Sequence, residues 1–493
     1  MNSTTSSTAL PRVLGVWMAA AVVVGTVIGS GVFKKGQKVA ENIPEFGLAM
    51  IAWVLVGVVT LFGALVLAEI AVLFPRAGGN YQFLKEGYGR FFGFLWGWVE
   101  FWIIRPASIA ALATIFTQGL NVVLKELTHS GGDVLEFWPQ QLSTCGLILV
   151  LGIVNAIGTR IGGGVQLAIT IVKVGSLAAI VLLPLVILLF DDHPRTTPTT
   201  DNMRPFWPND WSKVSWGKFG VALVAILWAY DGWRNIGPIA EEVKNPQRNL
   251  PLALLGGVVV LITIYVSVNA AYYLVIPQNE MAAVENTTVA AVFCERLIGP
   301  IGAMLASAAV MISVLGAANG NVFVGPRLLF AMARDRMAPA DLTRLDPRTN
   351  TPAIAIGLVV FWAIGLVLLF GVLHELRVEV KDPFDSLTDF AVFGAAGLEI
   401  LVIGSIFVFR KKYPLDRFPR AYRCIGYPFV PIVFMLVMFA VLVNMFLQPS
   451  QRTEAIIGLG FIGVGAIVYA FVFVERGRAR RKQKKKVGRR KRG

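Results

Sequence analysis

Charge is scarce in this chain: 15% of its 493 residues are Asp, Glu, Lys or Arg, where soluble domains run near a quarter. With 56% hydrophobic residues, that excludes an ordinary soluble domain and makes this a membrane protein by composition. Cysteine and histidine are scarce too, three of each. Cys145, Cys294 and Cys424 sit in or beside different apolar runs, a pattern that suggests neither a disulfide framework nor a metal site. Three histidines scattered among loops offer zinc no ligand set. There is no phosphate-binding GxxxxGK loop and no Ser-His-Asp constellation, so ATP-driven pumping and hydrolysis lack residues to carry them. The expectation is a protein without cofactor, metal or enzymatic activity.

What the chain has instead is apolar length. Twelve runs approach the roughly 20 residues that span a bilayer. They lie near 13–41, 46–73, 91–122, 142–157, 162–190, 216–240, 250–276, 289–333, 353–373, 386–409, 427–447 and 455–474. The predicted fold class is all-α integral membrane, with twelve transmembrane helices. Met18-Ala19-Ala20-Ala21 resembles a signal-peptide cleavage site, but the apolar stretch continues past it and reads as a retained span.

The formal charge of +15 is concentrated at one end. Residues 475–493 hold twelve Lys/Arg and one Glu, leaving only +4 for the rest of the chain. A basic run after a last hydrophobic span reads as a cytoplasmic stop signal that touches anionic lipid, not as a nucleic-acid site. Twelve spans put both termini on one side. The loops on that side hold Arg76, Lys85, Arg90, Lys244, Arg248, Arg334, Arg336, Arg410, Lys411 and Lys412. Both termini are therefore expected in the cytoplasm of a multi-pass cell-membrane protein.

Two of the apolar runs are interrupted. Gly25, Gly29 and Gly31 break the first within GTVIGSGVF, and Tyr230-Asp231-Gly232-Trp233 breaks the sixth. Exposed backbone groups inside a bilayer cost several kcal/mol each unless protein, water or ligand satisfies them. Broken helices at corresponding places in two halves of a chain point to a transporter site at the midplane. The predicted organisation is a cytoplasmic segment 1–12, a transporter domain 13–474 and a basic tail 475–493. Within the domain, an inverted five-plus-five repeat pairs 13–190 with 216–409, and helices 427–474 trail.

GTVIGSGVF, GALVLAEIAVLFPRAGGNYQFLKEGYG, WVEFWIIRPAS, WAYDGWRNIGPIAEEVKNPQRNLP and GAANGNVFVGPRLLFAMARD resemble the amino acid–polyamine–organocation superfamily. Within it the chain is similar to the L-type amino acid transporters, particularly their bacterial homologues. The resemblance runs from about residue 13 to the tenth span. It implies the fold of the sodium-coupled leucine transporters, and uptake or exchange of amino acids without ATP. Two departures stand out. The eukaryotic light chains carry a cysteine after the third span that bonds a glycoprotein heavy subunit, and 122–141 contains none, so no disulfide-linked partner is expected. Eukaryotic members commonly have glycine where this chain has Asp231, which puts a carboxylate near the expected place of the substrate's amino group.

Candidate residues follow. Gly29, Ser30 and Gly31 leave N–H groups free at a half-helix start, where a substrate carboxylate fits; the alternative is a small-residue packing seam. The carbonyls of Val27, Trp228 and Ala229 are candidates to hold the amine. Asp231 either adds its charge or merely caps the break. Trp228 reads as a gate over the substrate or as a packing residue. Lys173, deep in the fifth span, is a functional hypothesis by default. In the fold that the chain resembles, it reaches the place where sodium-coupled relatives hold sodium, and its charge makes sodium unnecessary. Glu69 is a candidate inner gate with Arg327. Glu100 and Arg105 read as a structural pair, and Asn319 as polar glue between helices. The expected function is sodium-independent secondary transport of neutral amino acids by alternating access. A polyamine or cationic amino-acid carrier using Asp231, and a non-transporting amino-acid sensor, stand as rivals.

Overall fold

Apolar runs in hydrocarbon must satisfy every backbone group internally, and helices do so within one segment. The computed structural model describes residues 14–74, 78–157, 163–240, 243–349, 351–377 and 382–474. Among these, every regular element is helical, and the one isolated bridge joins Leu14 to Val243. Ten helical stretches are long and apolar enough to cross a membrane. They include α4 (Phe46–Leu73), α8 (Phe137–Ile157), α12 (Pro246–Val275), α16 (Ala353–Glu375) and α17 (Pro383–Lys412). The first and sixth runs are different. The first is cut into α1 (Val16–Val27), α2 (Gly31–Lys34) and α3 (Gly36–Asn42). The sixth is cut into α10 (Trp216–Tyr230), a tight turn over Trp233–Asn235, and α11 (Ile236–Ile239).

The expected single span 289–333 is in fact two helices, α14 (Val289–Ile298) and α15 (Pro300–Arg334). Gly299 between them has φ +77°, a conformation that ends a helix, and Pro300 suits the first turn of the next. The third run also has internal structure. A π-helical turn over Glu100–Ile104 joins α6 (Arg90–Val99) to α7 (Arg105–Thr128), with the N–H of Arg105 bonded to the carbonyl of Glu100. That wide turn stacks Glu100 and Arg105 on one side of the helix.

α7 lies in the middle of the bundle, along α15 and against α16 and α17, and most of its first four turns is buried. By contrast, α9 (Gly163–Phe190) turns Leu182, Leu185, Leu188, Leu189 and Phe190 outward, as a lipid-facing helix does. The broken segments are inside: Val27, Ile28, Ser30, Trp228, Ala229 and Tyr230 are all buried. The terminal segments 1–13 and 475–493 lie outside the described residues, as do Arg76 and the Arg327 side chain.

Candidate substrate site

The two breaks touch each other through glycine. A Cβ on Gly31 would overlap the backbone of Ala229, coming within 2.6 Å of its Cβ. On the other strand of the contact, Gly232 has φ +111°, and a Cβ there would meet the Thr26 carbonyl at 2.8 Å. The Thr26 hydroxyl donates to the Gly232 carbonyl at 3.3 Å. Both glycines are thus required by backbone-to-backbone approach. This corrects part of the sequence reading: the space beside Gly31 is filled by Ala229, not by substrate, and Ala229 does not line the cavity.

The breaks leave backbone groups available. Ile28 is extended, and the N–H groups of Gly29, Ser30, Gly31 and Val32 have no acceptor among the described residues. Beside them is a small cavity. Thr26, Val27, Gly29, Ser30 and Gly31 line it from the first break, and Trp228, Asp231, Gly232 and Asn235 from the sixth. α7 adds Ser108 and Leu112, and α15 adds Ala317 and Asn321. Of the expected amine acceptors, the Val27 carbonyl already accepts the Tyr265 hydroxyl at 3.2 Å, and the Trp228 carbonyl accepts the Asp231 N–H at 3.1 Å. Each carbonyl oxygen retains a second lone pair.

Lys173 reaches the first break from α9. Its Nζ donates to the Gly25 and Ile28 carbonyls, both at 2.8 Å, and the side chain is fully buried. The Ser313 hydroxyl of α15 also approaches the Ile28 and Gly29 carbonyls at 3.4 Å. A buried ammonium therefore replaces helix hydrogen bonds that the break removes and ties the break to α9, while Ser313 ties it to α15.

Asp231 has a partner that the sequence reading missed. Arg234 Nη1 lies 2.6 Å from its Oδ1, and the same nitrogen bonds Glu399 of α17. Glu100 and Arg105 pair at 2.5 Å, and Arg105 also donates to Asn321 Oδ1 at 2.6 Å and Asn235 Oδ1 at 2.9 Å. The pair thereby orients two amides of the cavity wall. Asn319 accepts from Asn155 of α8 at 2.8 Å. Ser108, Asn235 and Asn321 were also missed. The available signal was a polar residue in an apolar span, inside segments already singled out for other residues.

Ion pairs and packed rings flank the site. Trp228 lines the cavity, donating to the Ser30 hydroxyl at 3.1 Å, with its ring edge-on to Phe384 at 6.3 Å. Beyond it, Lys35 bonds Asp385 at 2.6 Å and Thr388 at 2.7 Å and lies 4.6 Å from the Phe384 ring centre. On the opposite side Asp335, just past α15, accepts from Tyr81 at 2.6 Å and Lys85 at 2.7 Å, both on α5 (Gly79–Tyr88). Burial pushes the Asp335 carboxyl up, but those two bonds and the Lys85 and Arg90 charges hold it below its ordinary value. Glu69 meets Arg410 at 2.7 Å, Arg420 at 3.1 Å and the Cys424 N–H at 2.7 Å. The side chain of the expected partner Arg327 lies outside the described residues.

Known proteins are similar in sequence to this chain over nearly its whole length. The chain matches the amino acid permease family over residues 14–473. It is 32% identical over 465 residues to the serine/threonine exchanger SteT of Bacillus subtilis, covering 93% of this chain and 97% of that protein. It is 29% identical over 472 residues to the human b(0,+)-type amino acid transporter 1, covering 95% and 89%. Human large neutral amino acids transporter small subunit 2 is 30% identical over 471 residues, covering 94% and 80%. With two buried helix breaks forming a polar cavity inside a bundle of membrane-length helices, this chain belongs to the amino acid permease family: it is a multi-pass amino-acid transporter and not an enzyme.

Proposed function

We propose that the protein carries neutral amino acids by sodium-independent exchange or uptake. On this reading twelve helices form two inverted repeats of five plus a trailing pair, and the two broken helices rock against the rest. The substrate carboxylate binds the free N–H groups of Gly29, Ser30 and Gly31, where the half-helix start favours an anion. Its ammonium binds the remaining lone pairs of Val27 and Trp228, with Asp231 nearby. Trp228 and the Lys35–Asp385 pair close the outer side, while Glu69 and Asp335 anchor the inner side. The termini are cytoplasmic, the membrane is the cell membrane, and no disulfide-linked heavy subunit is needed.

The observation that carries the reading is Lys173 on the Gly25 and Ile28 carbonyls. A fixed cation already satisfies the oxygens that a sodium ion would otherwise coordinate beside the break. Exchange of serine and threonine by the Bacillus subtilis relative, named for that activity, supports a neutral substrate here. The polyamine reading is disfavoured by the pairing of Asp231 with Arg234, which places a competing cation on the one recognition carboxylate.

The test is uptake of labelled serine and leucine into proteoliposomes, with unlabelled competitors. The free amino acids should compete, while their methyl esters and spermidine should not. Competition by the esters as strong as by the free acids would overturn the carboxylate cradle.

A further inference from the structure

Asp231 belongs to two cavities at once. One is the substrate cavity. The other lies on the far side of Trp228 and Asp231, against α17 and α4. Arg234 and Glu399 line only this second cavity, and both are buried. The Asp231 side chain is 28% exposed, against 7% for Arg234 and 9% for Glu399. Substrate thus meets Asp231 from the front, and Arg234 holds it from behind.

One guanidinium is shared by two carboxylates, since Arg234 Nη1 bonds both Asp231 and Glu399. Sharing matters because an ion pair in a desolvated site is barely screened. Were Arg234 committed wholly to Asp231, the substrate cavity would feel a neutral pair. Were it committed wholly to Glu399, the cavity would feel a bare carboxylate. We infer that Glu399, acting through Arg234, sets how much of the Asp231 charge the substrate meets, and so sets the preference for neutral over cationic amino acids. Glu399 is a positioning residue here, because it does not reach the substrate cavity. The inference rests on the proposed amino-acid site and adds the residues that fix its charge class.

The substitutions push the balance in opposite directions. Glu399→Gln keeps shape and leaves Arg234 to Asp231 alone, so lysine should bind more weakly relative to a neutral amino acid. The double variant Arg234→Gln/Glu399→Gln removes cation and anion together and frees Asp231, so lysine should bind relatively better. Because a buried pair is removed as a unit, the double variant avoids the uncompensated charge that Arg234→Gln alone would leave.

The experiment is displacement of labelled serine or leucine, whichever the wild type binds, from purified full-length protein by unlabelled lysine and by the same neutral amino acid. The ratio of the two inhibition constants should move at least about threefold in each direction. In an Asp231→Asn background the Arg234→Gln/Glu399→Gln pair should no longer move the ratio, a non-additivity that a merely structural role would not produce. A ratio constant within about twofold across the proteins overturns the inference, as does a shift that survives Asp231→Asn. So does a variant that is monodisperse by size exclusion but binds no neutral amino acid, since Arg234 and Glu399 would then be holding the site together. Failure of the wild type to bind either neutral probe is a different result: it overturns the underlying amino-acid reading before any substitution is made.

Discussion

Replacing Gly31 with alanine tests the contact between the two broken helices, and Gly29→Ala is its internal control. At Gly31 the new methyl would overlap Ala229, lying 2.6 Å from its Cβ and 3.0 Å from its N. Carbon atoms rest about 3.5–4.0 Å apart, so the two unwound segments must separate by about 1 Å. Overpacking of this kind costs about 1–3 kcal/mol, and here the neighbour is backbone, which yields least. The cavity is built from both segments, so the separation falls directly on its geometry. At about 1.4 kcal/mol per factor of ten, substrate affinity should drop about 5- to 150-fold. At Gly29 the nearest atom to an added methyl is Leu112 Cδ2 at 3.4 Å, and the backbone is free of positive φ. Gly29→Ala should therefore keep stability within about 0.5 kcal/mol of wild type. Both variants are compared by apparent Tm in detergent and by equilibrium binding of labelled serine or leucine. Gly31→Ala should lower both Tm and affinity, while Gly29→Ala leaves Tm unchanged. Equal Tm values for the two variants, or Gly31→Ala binding within about twofold of wild type, would refute the argument.

Lys173→Met removes the ammonium from the Gly25 and Ile28 carbonyls, and of the two only Ile28 keeps another donor, Ser313 at 3.4 Å. Each lost charge-assisted bond is on the scale of about 1.5–3 kcal/mol, so Tm should fall and counterflow should cease; a variant that transports normally at unchanged Tm would reduce Lys173 to a bystander. Asp335 gives a pH-dependent expectation. Its carboxyl is held below its ordinary value by Lys85 and Tyr81 against the opposing effect of burial, so its stabilisation is complete above the unfolded value of about 3.9 and is lost as pH falls through the lower folded value. Asp335→Asn should then lower Tm at neutral pH and converge with wild type once the pH has fallen through the depressed folded value; a gap that persists at still lower pH would contradict the assignment.

Most of the architecture was legible because hydrocarbon leaves so few choices. Runs of about 20 apolar residues became helices, and glycine placed the breaks at 29–31 and 231–232 within a residue or two. The division at Gly299 was missed because one span was drawn through Glu295-Arg296 and Gly299-Pro300, and hydropathy averaged over the run does not register φ. The site was legible as a place but not as a set of partners. Gly31 was recognised for the right physical reason, close backbone approach, but what approaches is Ala229. Lys173 was found because a mid-membrane lysine is conspicuous alone. Asp231 was singled out too, yet Arg234 three residues on was passed over as its partner, and that Glu399 reaches Arg234 from α17 is a tertiary fact the local sequence does not carry. Glu69 likewise found arginines at 410 and 420, more than 300 residues away along the chain.

Counterflow in sodium-free medium tests the central claim most directly. Proteoliposomes loaded with unlabelled serine and leucine are placed in choline buffer with trace labelled substrate outside. Transient accumulation of label above its equilibrium level, unchanged when sodium replaces choline, is the predicted result. Accumulation that appears only with sodium would contradict the role given to Lys173, and no accumulation under either condition would contradict amino-acid transport through this site.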